Sequence, residues 1–372
     1  MNSRWPALDA ARVFSVGFIL AWHGLLAFTH RERGVKADIT SDQLEVAAWL
    51  LRGFAIKLLF LVAGFLSHQQ LQSRGTGPFL VRRLRRLMLP CILTMWVYNG
   101  LLYWRLAVSL EISPLAVLRH YLAQGLYYEI LSPMHLWFLF DLAILTLLAG
   151  WLHQSLGTQA RYQRWYRALQ RPWSPLALLL PTTLLLWLHE PQLPLLRYPH
   201  LISAERTYPV VSALGVHAVF FLVGWLSHAA AGHWQALIRG WRLLLILAPP
   251  LRLGAAAMQL REGSPVLLVH ALMAGYWWAI VLGCLGLFSS LVQRPSAWLR
   301  YLADSSYWVY LSHLLFMGEM QYLVNGRGWP IIAQYAAVVS GTLALCGLTY
   351  HFMVRPFRES TCDTTVANPG GR

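Results

Sequence analysis

The sequence predicts an all-α, polytopic membrane helix bundle of about ten transmembrane helices, with both termini cytoplasmic. Three observations carry that expectation. Of the 372 residues, 57% are hydrophobic and only 12% are charged, against about 25% charged in a soluble domain. The mean hydropathy is +0.47, because apolar runs of about 20 residues recur along the chain, the length a helix needs to cross a bilayer. The cations between those runs fall on alternate loops. A formal net charge of +15 also suits nucleic-acid binding. Arginines confined to short loops between apolar segments follow the positive-inside rule instead, so nucleic acid is set aside as a partner.

Taken in order, the apolar runs are 8–30, 44–72, 87–110, 135–155, 173–190, 208–231, 241–260, 265–291, 300–322 and 330–353. The loop after the second holds Arg74, Arg82, Arg83, Arg85 and Arg86, and that after the fourth holds Arg161, Arg164, Arg167 and Arg171. The loop after the sixth holds Arg239 and Arg242, and that after the eighth Arg294 and Arg300. The first loop balances its charges (Arg31, Glu32, Arg33, Lys36, Asp38, Asp42), as does the fifth (Glu190, Arg197, Glu205, Arg206). Even-numbered loops are therefore expected in the cytoplasm, and an even number of spans returns both termini there. The first run lacks a small-residue cleavage site and reads as an uncleaved helix. The longest outer linkers are 111–134 and 188–209, and the Pro-rich second one is expected to fold over the outer face. One transmembrane domain, 1–358, leaves a polar tail, 359–372, expected to be disordered. Cys91, Cys284 and Cys346 lie in apolar runs and Cys362 in the tail. No spacing suggests a disulfide framework or a metal site.

Ionisable groups at membrane depth are costly and point to function. The first helix carries Asp9, Arg12 and His23. Eleven residues are close to three full turns, so Arg12 and His23 share a face about 16 Å apart, and Asp9 is placed to pair with Arg12. The second carries Arg52 and Lys57, cations that need a partner or a watery cavity; snorkelling suits Arg52 better than Lys57. The fourth opens with His135 and Trp137 at an interface and holds Asp141 deeper. The ninth holds Asp304, Ser305, Tyr307, Tyr310, His313 and Glu319. Its Ser306, Tyr310 and His313, at i, i+4 and i+7, make a polar stripe expected to face the bundle. The run RGTGPFLVRRLRRLMLP sets Arg82, Arg83, Arg85 and Arg86 at a helix start before Pro90. Such a run serves topology, or captures phosphate through paired guanidinium hydrogen bonds aided by helix-end amides.

Two stretches echo each other. FLVAGFLSH covers 60–68 and FFLVGWLSH covers 220–228, at an interval of 160 positions. The surrounding residues do not repeat: Arg52 and Lys57 precede the first copy, and only His217 precedes the second. The Asp9–Arg12–His23 pattern has no counterpart on the fifth helix. A duplicated fold is therefore not expected. Gly64 and Gly224 read as close helix packing, and His68 and His228 as interface histidines at the same end of the bundle.

Together these elements resemble the integral-membrane acyltransferase-3 family across nearly the whole chain. The first helix is similar to the family's leading motif in Leu8-Asp9, Arg12 and His23. Phe60-Leu61-Val62-Ala63-Gly64-Phe65 resembles its F-F-x-x-S-G-F motif, with Ala63 in place of the serine. The arginine run ending at Pro90 resembles its R-R-x-x-R-x-x-P signature, and Ser306 to His313 its S-Y-x-x-Y-L-x-H stretch. His135-Leu136-Trp137-Phe138-Leu139 looks most like the subgroup containing the periplasmic-glucan succinyltransferase, glucan biosynthesis protein C.

The resemblance implies acyl transfer in a bacterial inner membrane, of the acetyl or succinyl class. A cytoplasmic acyl-coenzyme A-type donor would serve as co-substrate, with no permanently bound cofactor, and the acceptor would be a hydroxyl of an extracytoplasmic glycan. Partner proteins of glycan synthesis fit the same setting. His23 is then the expected general base, with Asp9, Arg12, His313 and Glu319 beside it. Arg82, Arg83, Arg85, Arg86, Gly64 and Lys57 are expected on the donor side. Arg52, His135, Trp137, Tyr307 and Tyr310 are expected on the acceptor side, and Tyr307, Tyr310, Lys57 or Arg52 could supply an oxyanion donor. The competing expectations are a transporter or flippase of a glycan or anionic lipid-linked substrate, and a non-catalytic scaffold, which leaves the buried charges unexplained.

Overall fold

The computed structural model describes residues 5–29, 37, 39–124, 133–156, 174–189, 211–229 and 237–357, with positions 161, 164, 165, 167, 168 and 235. Arg31, Glu32, Arg33, Lys36, Asp38, Arg171, Glu190, Arg197, Glu205, Arg206, most of the linker 188–209, part of the linker 111–134 and the tail 359–372 lie outside the described residues. The described residues form helices and the short turns between them, and hold no strand.

The helices are α1 (Pro6–Leu26), α2 (Asp42–Leu50), α3 (Phe54–Arg74), α4 (Thr76–Ser109), α5 (Pro114–Ala123), α6 (Trp137–Leu156), α7 (Ser174–His189), α8 (Val211–Ala229), α9 (Trp241–Leu260), α10 (Val266–Leu291), α11 (Ala297–Val324) and α12 (Ile331–Thr349). A 3₁₀ turn, Met134–Leu136, leads into α6, and a π-turn, Tyr350–Val354, follows α12. Among the described residues, eight segments are long and apolar enough to cross a membrane, one of them α2 and α3 taken together. The other two expected spans are α7, which has 16 residues, and α11, which has 28. The second is long enough, but its Asp304, Ser305, Ser306 and His313 dilute the apolar content. The chain is an all-α, polytopic membrane helix bundle.

Two segments differ from the sequence expectation. The run 44–72 is broken at Leu51–Gly53, where Gly53 adopts φ 94°, a left-handed conformation that glycine takes without steric cost. Arg82, Arg83, Arg85 and Arg86, expected in a loop or at a helix start, lie inside α4, which begins at Thr76 and runs 34 residues through Pro90. That is about 51 Å of helix, well beyond the ~30 Å hydrocarbon core. The first turns of α4, with their arginines, therefore project past it.

The helices form two compact units, residues 1–52 with 294–372, and residues 53–293. In the first, α1 and α11 run parallel: Arg12 meets Ala303 and His23 meets His313. Leu20, Met317, Val324 and Val338 make an apolar core with Val309 and Leu314. Tyr335 on α12 donates its hydroxyl to the Ala21 carbonyl at 3.1 Å. Trp22 donates to the Ala48 carbonyl at 2.7 Å, which pins α2 to α1.

In the second unit, α3, α6 and α8 run parallel. Phe60, Phe138 and His217 share one level, and His68, His153 and Trp225 share another further along. Helices α3 and α8 cross backbone to backbone, as their glycines predict. A Cβ on Gly64 would strike the Phe221 carbonyl, and one on Gly224 the Leu61 carbonyl. Small residues at a crossing let membrane helices gain van der Waals contact that lipid cannot replace. Helix α4 turns an apolar face outward, with Leu93, Trp96 and Val97 all more than half exposed, as a surface bathed in lipid requires.

Candidate active site

The first unit assembles a polar seam between α1 and α11. Asp9 and Arg12 stand three residues apart on one face of α1, and their charged groups approach to 3.6 Å. The same guanidinium donates to the Ala303 carbonyl at 2.9 Å and to the Ser306 hydroxyl at 3.4 Å. Arg12 therefore ties α1 to α11 as well as presenting positive charge. Ser306, Tyr310 and His313 are all buried, at 5%, 4% and 1% exposure, so the stripe faces the protein as its i, i+4, i+7 spacing predicts.

At the far end of that seam His23 meets His313. The Nε2 of His313 lies 3.3 Å from Nδ1 of His23, and the ring centroids are 5.1 Å apart. The surrounding carbonyls fix the protons. His313 Nδ1 lies 2.9 Å from the Tyr310 carbonyl and 3.2 Å from that of Val309. A carbonyl only accepts, so Nδ1 carries hydrogen, and the neutral ring keeps a lone pair on Nε2. His23 Nδ1 then donates, shared between His313 Nε2 and the Ile19 carbonyl at 3.0 Å. That tautomer leaves the basic lone pair of His23 on Nε2. A carbonyl, an orienting ring and a basic ring in series have the logic of a catalytic triad.

The other expected residues of this unit spread along the same helices. Glu319 is half-buried, and six residues past His313 it points about 120° around α11 from it. Tyr307 is half-buried, one turn before Tyr310 and Leu311. Arg52 is half-buried at the break before α3.

The second unit holds its own buried polar groups. Lys57 is 3% exposed, and its ammonium sits 3.9 Å from the centroid of the Trp277 ring, so cation–π attraction replaces part of its lost hydration. Gly64 is consumed by the α3–α8 crossing. His135 is buried, with Tyr98 edge-on at 5.9 Å. Trp137, which the sequence also allowed as an interface anchor, packs on His217 at 5.3 Å. Along α4, Arg82, Arg85 and Arg86 are exposed, and Arg83 donates to the Thr146 hydroxyl at 3.3 Å.

Two constellations were missed from the sequence. Asp141 accepts a hydrogen bond from Nδ1 of His217 at 2.9 Å, with the imidazole fully buried and stacked on Phe60 at 4.4 Å. The usable signal was depth: a carboxylate inside one span demands a partner at a matching level in another, and His217 is at that level. His68 and His228, read as separate interface residues, face each other with Nδ1 to Nδ1 at 2.9 Å. Removing one partner of a buried hydrogen bond leaves the other unsatisfied, at a cost of about 1–3 kcal/mol. Asp141→Ala is accordingly expected to lower the detergent-solubilised melting temperature sharply. Asp141→Asn, which can still accept from Nδ1, should lower it much less. Equal melting of the two variants would show that the hydrogen bond contributes nothing.

The family model described as an acyltransferase domain (Acyl_transf_3) matches residues 5–351, nearly the whole chain and both units. Comparison with curated proteins and with solved structures gives no match.

Proposed function

The chain belongs to that acyltransferase family, and on this premise we propose that it moves an acetyl- or succinyl-class group from an acyl-coenzyme A-type donor to a hydroxyl of an extracytoplasmic glycan. The observation that carries this reading is the series Tyr310 carbonyl, His313, His23. Nε2 of His23 takes the proton of the acceptor hydroxyl as its oxygen attacks the thioester carbonyl carbon. The tetrahedral intermediate collapses, the carbon–sulfur bond breaks, and the departing thiolate takes the proton from His23 and leaves as the thiol. His313 accepts from Nδ1 throughout and stabilises the imidazolium that forms.

Arg82, Arg83, Arg85 and Arg86 suit the donor's phosphates, because guanidinium pairs with phosphate through two parallel hydrogen bonds. The glycan acceptor follows from the likeness of His135 to Leu139 to the glucan biosynthesis protein C subgroup. The setting is a multi-pass protein of the bacterial inner membrane. Mass spectrometry of surface and periplasmic glycans tests the reading. A deletion strain should lack an acetyl or succinyl mass that the wild-type chain restores. Glycan acyl masses identical in both strains would overturn the glycan assignment. A transporter reading has one observation of its own, the buried Asp141–His217 pair, since intramembrane acid–histidine pairs also serve permeation paths.

A further inference from the structure

We infer that His68, His153 and His228 form a phosphate-binding site at the end of the second unit that carries the arginine run, taking a ligand with at least two phosphate groups. The inference deepens the donor assignment and rests on that reading for the ligand's identity.

The site is built by the repeated sequence itself. In both copies a glycine is followed four residues later by histidine. The two helices run parallel and cross at those glycines, so the interval that separates the copies in sequence brings them into register in space. Phe65 packs edge-on against His228 at 4.8 Å, and Trp225 edge-on against His68 at 4.9 Å. Ser67 and Ser227 bond back to the carbonyls of Ala63 and Val223. This local two-fold arrangement fixes both rings, and their Nδ1 atoms meet at 2.9 Å. Two nitrogens holding one tetrahedral zinc ion at ~2.05 Å each would stand about 3.3 Å apart, so the spacing is that of a hydrogen bond. One ring donates and the other accepts. When the fully buried His68 donates, the half-buried His228 carries its proton on Nε2.

His153 joins them from α6, half-buried, its ring 6.2 Å from that of His68. Thr146, Gly150 and His153 make one stripe of α6, and α4 lies on it. Arg83 bonds Thr146, and Leu80 sits where a Cβ on Gly150 would come within 2.9 Å. From Thr146 to His153 is two turns, about 10 Å, so the histidines and Arg83 span more than a single phosphate group. Segments 66–90, 146–156, 221–229 and 237–247 hold no Asp or Glu but do hold Arg74, Arg82, Arg83, Arg85, Arg86, Arg239 and Arg242. Topology alone needs exposed arginines. It does not need three histidines converging from three helices beside them.

The test uses the full chain in nanodiscs of phosphatidylcholine, with or without phosphatidylglycerol, titrated with inorganic pyrophosphate and with coenzyme A. His153→Gln and His228→Gln should each weaken both ligands about tenfold, which is about 1.4 kcal/mol, while thermal melting shows each variant folded. His68→Asn keeps a donor toward His228 and should retain affinity that His68→Leu loses. Pyrophosphate binding without coenzyme A binding keeps the site and removes the coenzyme A donor. Coenzyme A binding unchanged in the folded variants keeps the donor and removes the histidine site. If only phosphatidylglycerol competes with pyrophosphate, the site stands and its phosphate is a lipid headgroup. No pyrophosphate binding in either lipid overturns the inference.

Discussion

His23→Ala is expected to lower acyl transfer by about 10²–10⁴-fold, the usual contribution of a positioned general base, with protein level and melting temperature unchanged. The ring is half-buried, and melting measured on the same protein separates a loss of activity from unfolding. His313→Ala should lower kcat and leave the donor KM in place, because in the proposed mechanism His313 acts only through His23. Its loss leaves Nδ1 of His23 on the Ile19 carbonyl, so the tautomer stays and the ring that would stabilise the imidazolium is gone. Undiminished acylation by a well-folded His23→Ala protein would sink the assignment of the base, and with it the role of His313.

Gly64→Ala is the second large effect. The added carbon falls on the Phe221 carbonyl, and in Gly224→Ala on the Leu61 carbonyl. Both obstacles are backbone, so the helices must part. Overpacking of this kind costs about 1–3 kcal/mol, and separating α3 from α8 also loses the His68–His228 hydrogen bond, worth roughly 1 kcal/mol. Thermal melting in detergent should show both variants markedly destabilised. Gly17→Ala and Gly100→Ala are the controls. Nothing lies within 4 Å of a Cβ at either position, and alanine is the better helix former, so these should melt at or above wild type. Four similar melting curves would contradict the crossing.

What the sequence disclosed follows from what local patterns encode. Helix spans were legible because apolar length is a local property: the seventh expected run, 241–260, coincides with α9. The faces of α1 and α11 were legible because Asp9, Arg12 and His23, and Ser306, Tyr310 and His313, repeat at helical spacing. Gly64 and Gly224 were legible because a small residue in an otherwise bulky apolar run has few uses but close approach. The break at Gly53 was hidden, since a single glycine in an apolar run costs little and only its φ reveals the turn. The N-terminal extension of α4 was hidden because arginine is a good helix former yet reads as loop in a hydropathy profile. The pairs Asp141–His217 and His68–His228 were hidden for a different reason. Each joins helices far apart in sequence, and periodicity states which face a residue takes but not which helix that face meets.

In the proposed function, acyl group and glycan meet chemically on this chain, rather than one of them being carried through it. Proteoliposomes holding the purified protein, with acyl-labelled coenzyme A on one side and glucan on the other, test it most directly. The predicted result is label covalently bound to glucan, free coenzyme A thiol appearing in equal amount on the donor side, and neither product with His23→Ala protein. Intact labelled donor, or unmodified glucan, recovered across the bilayer without ester formation would contradict it.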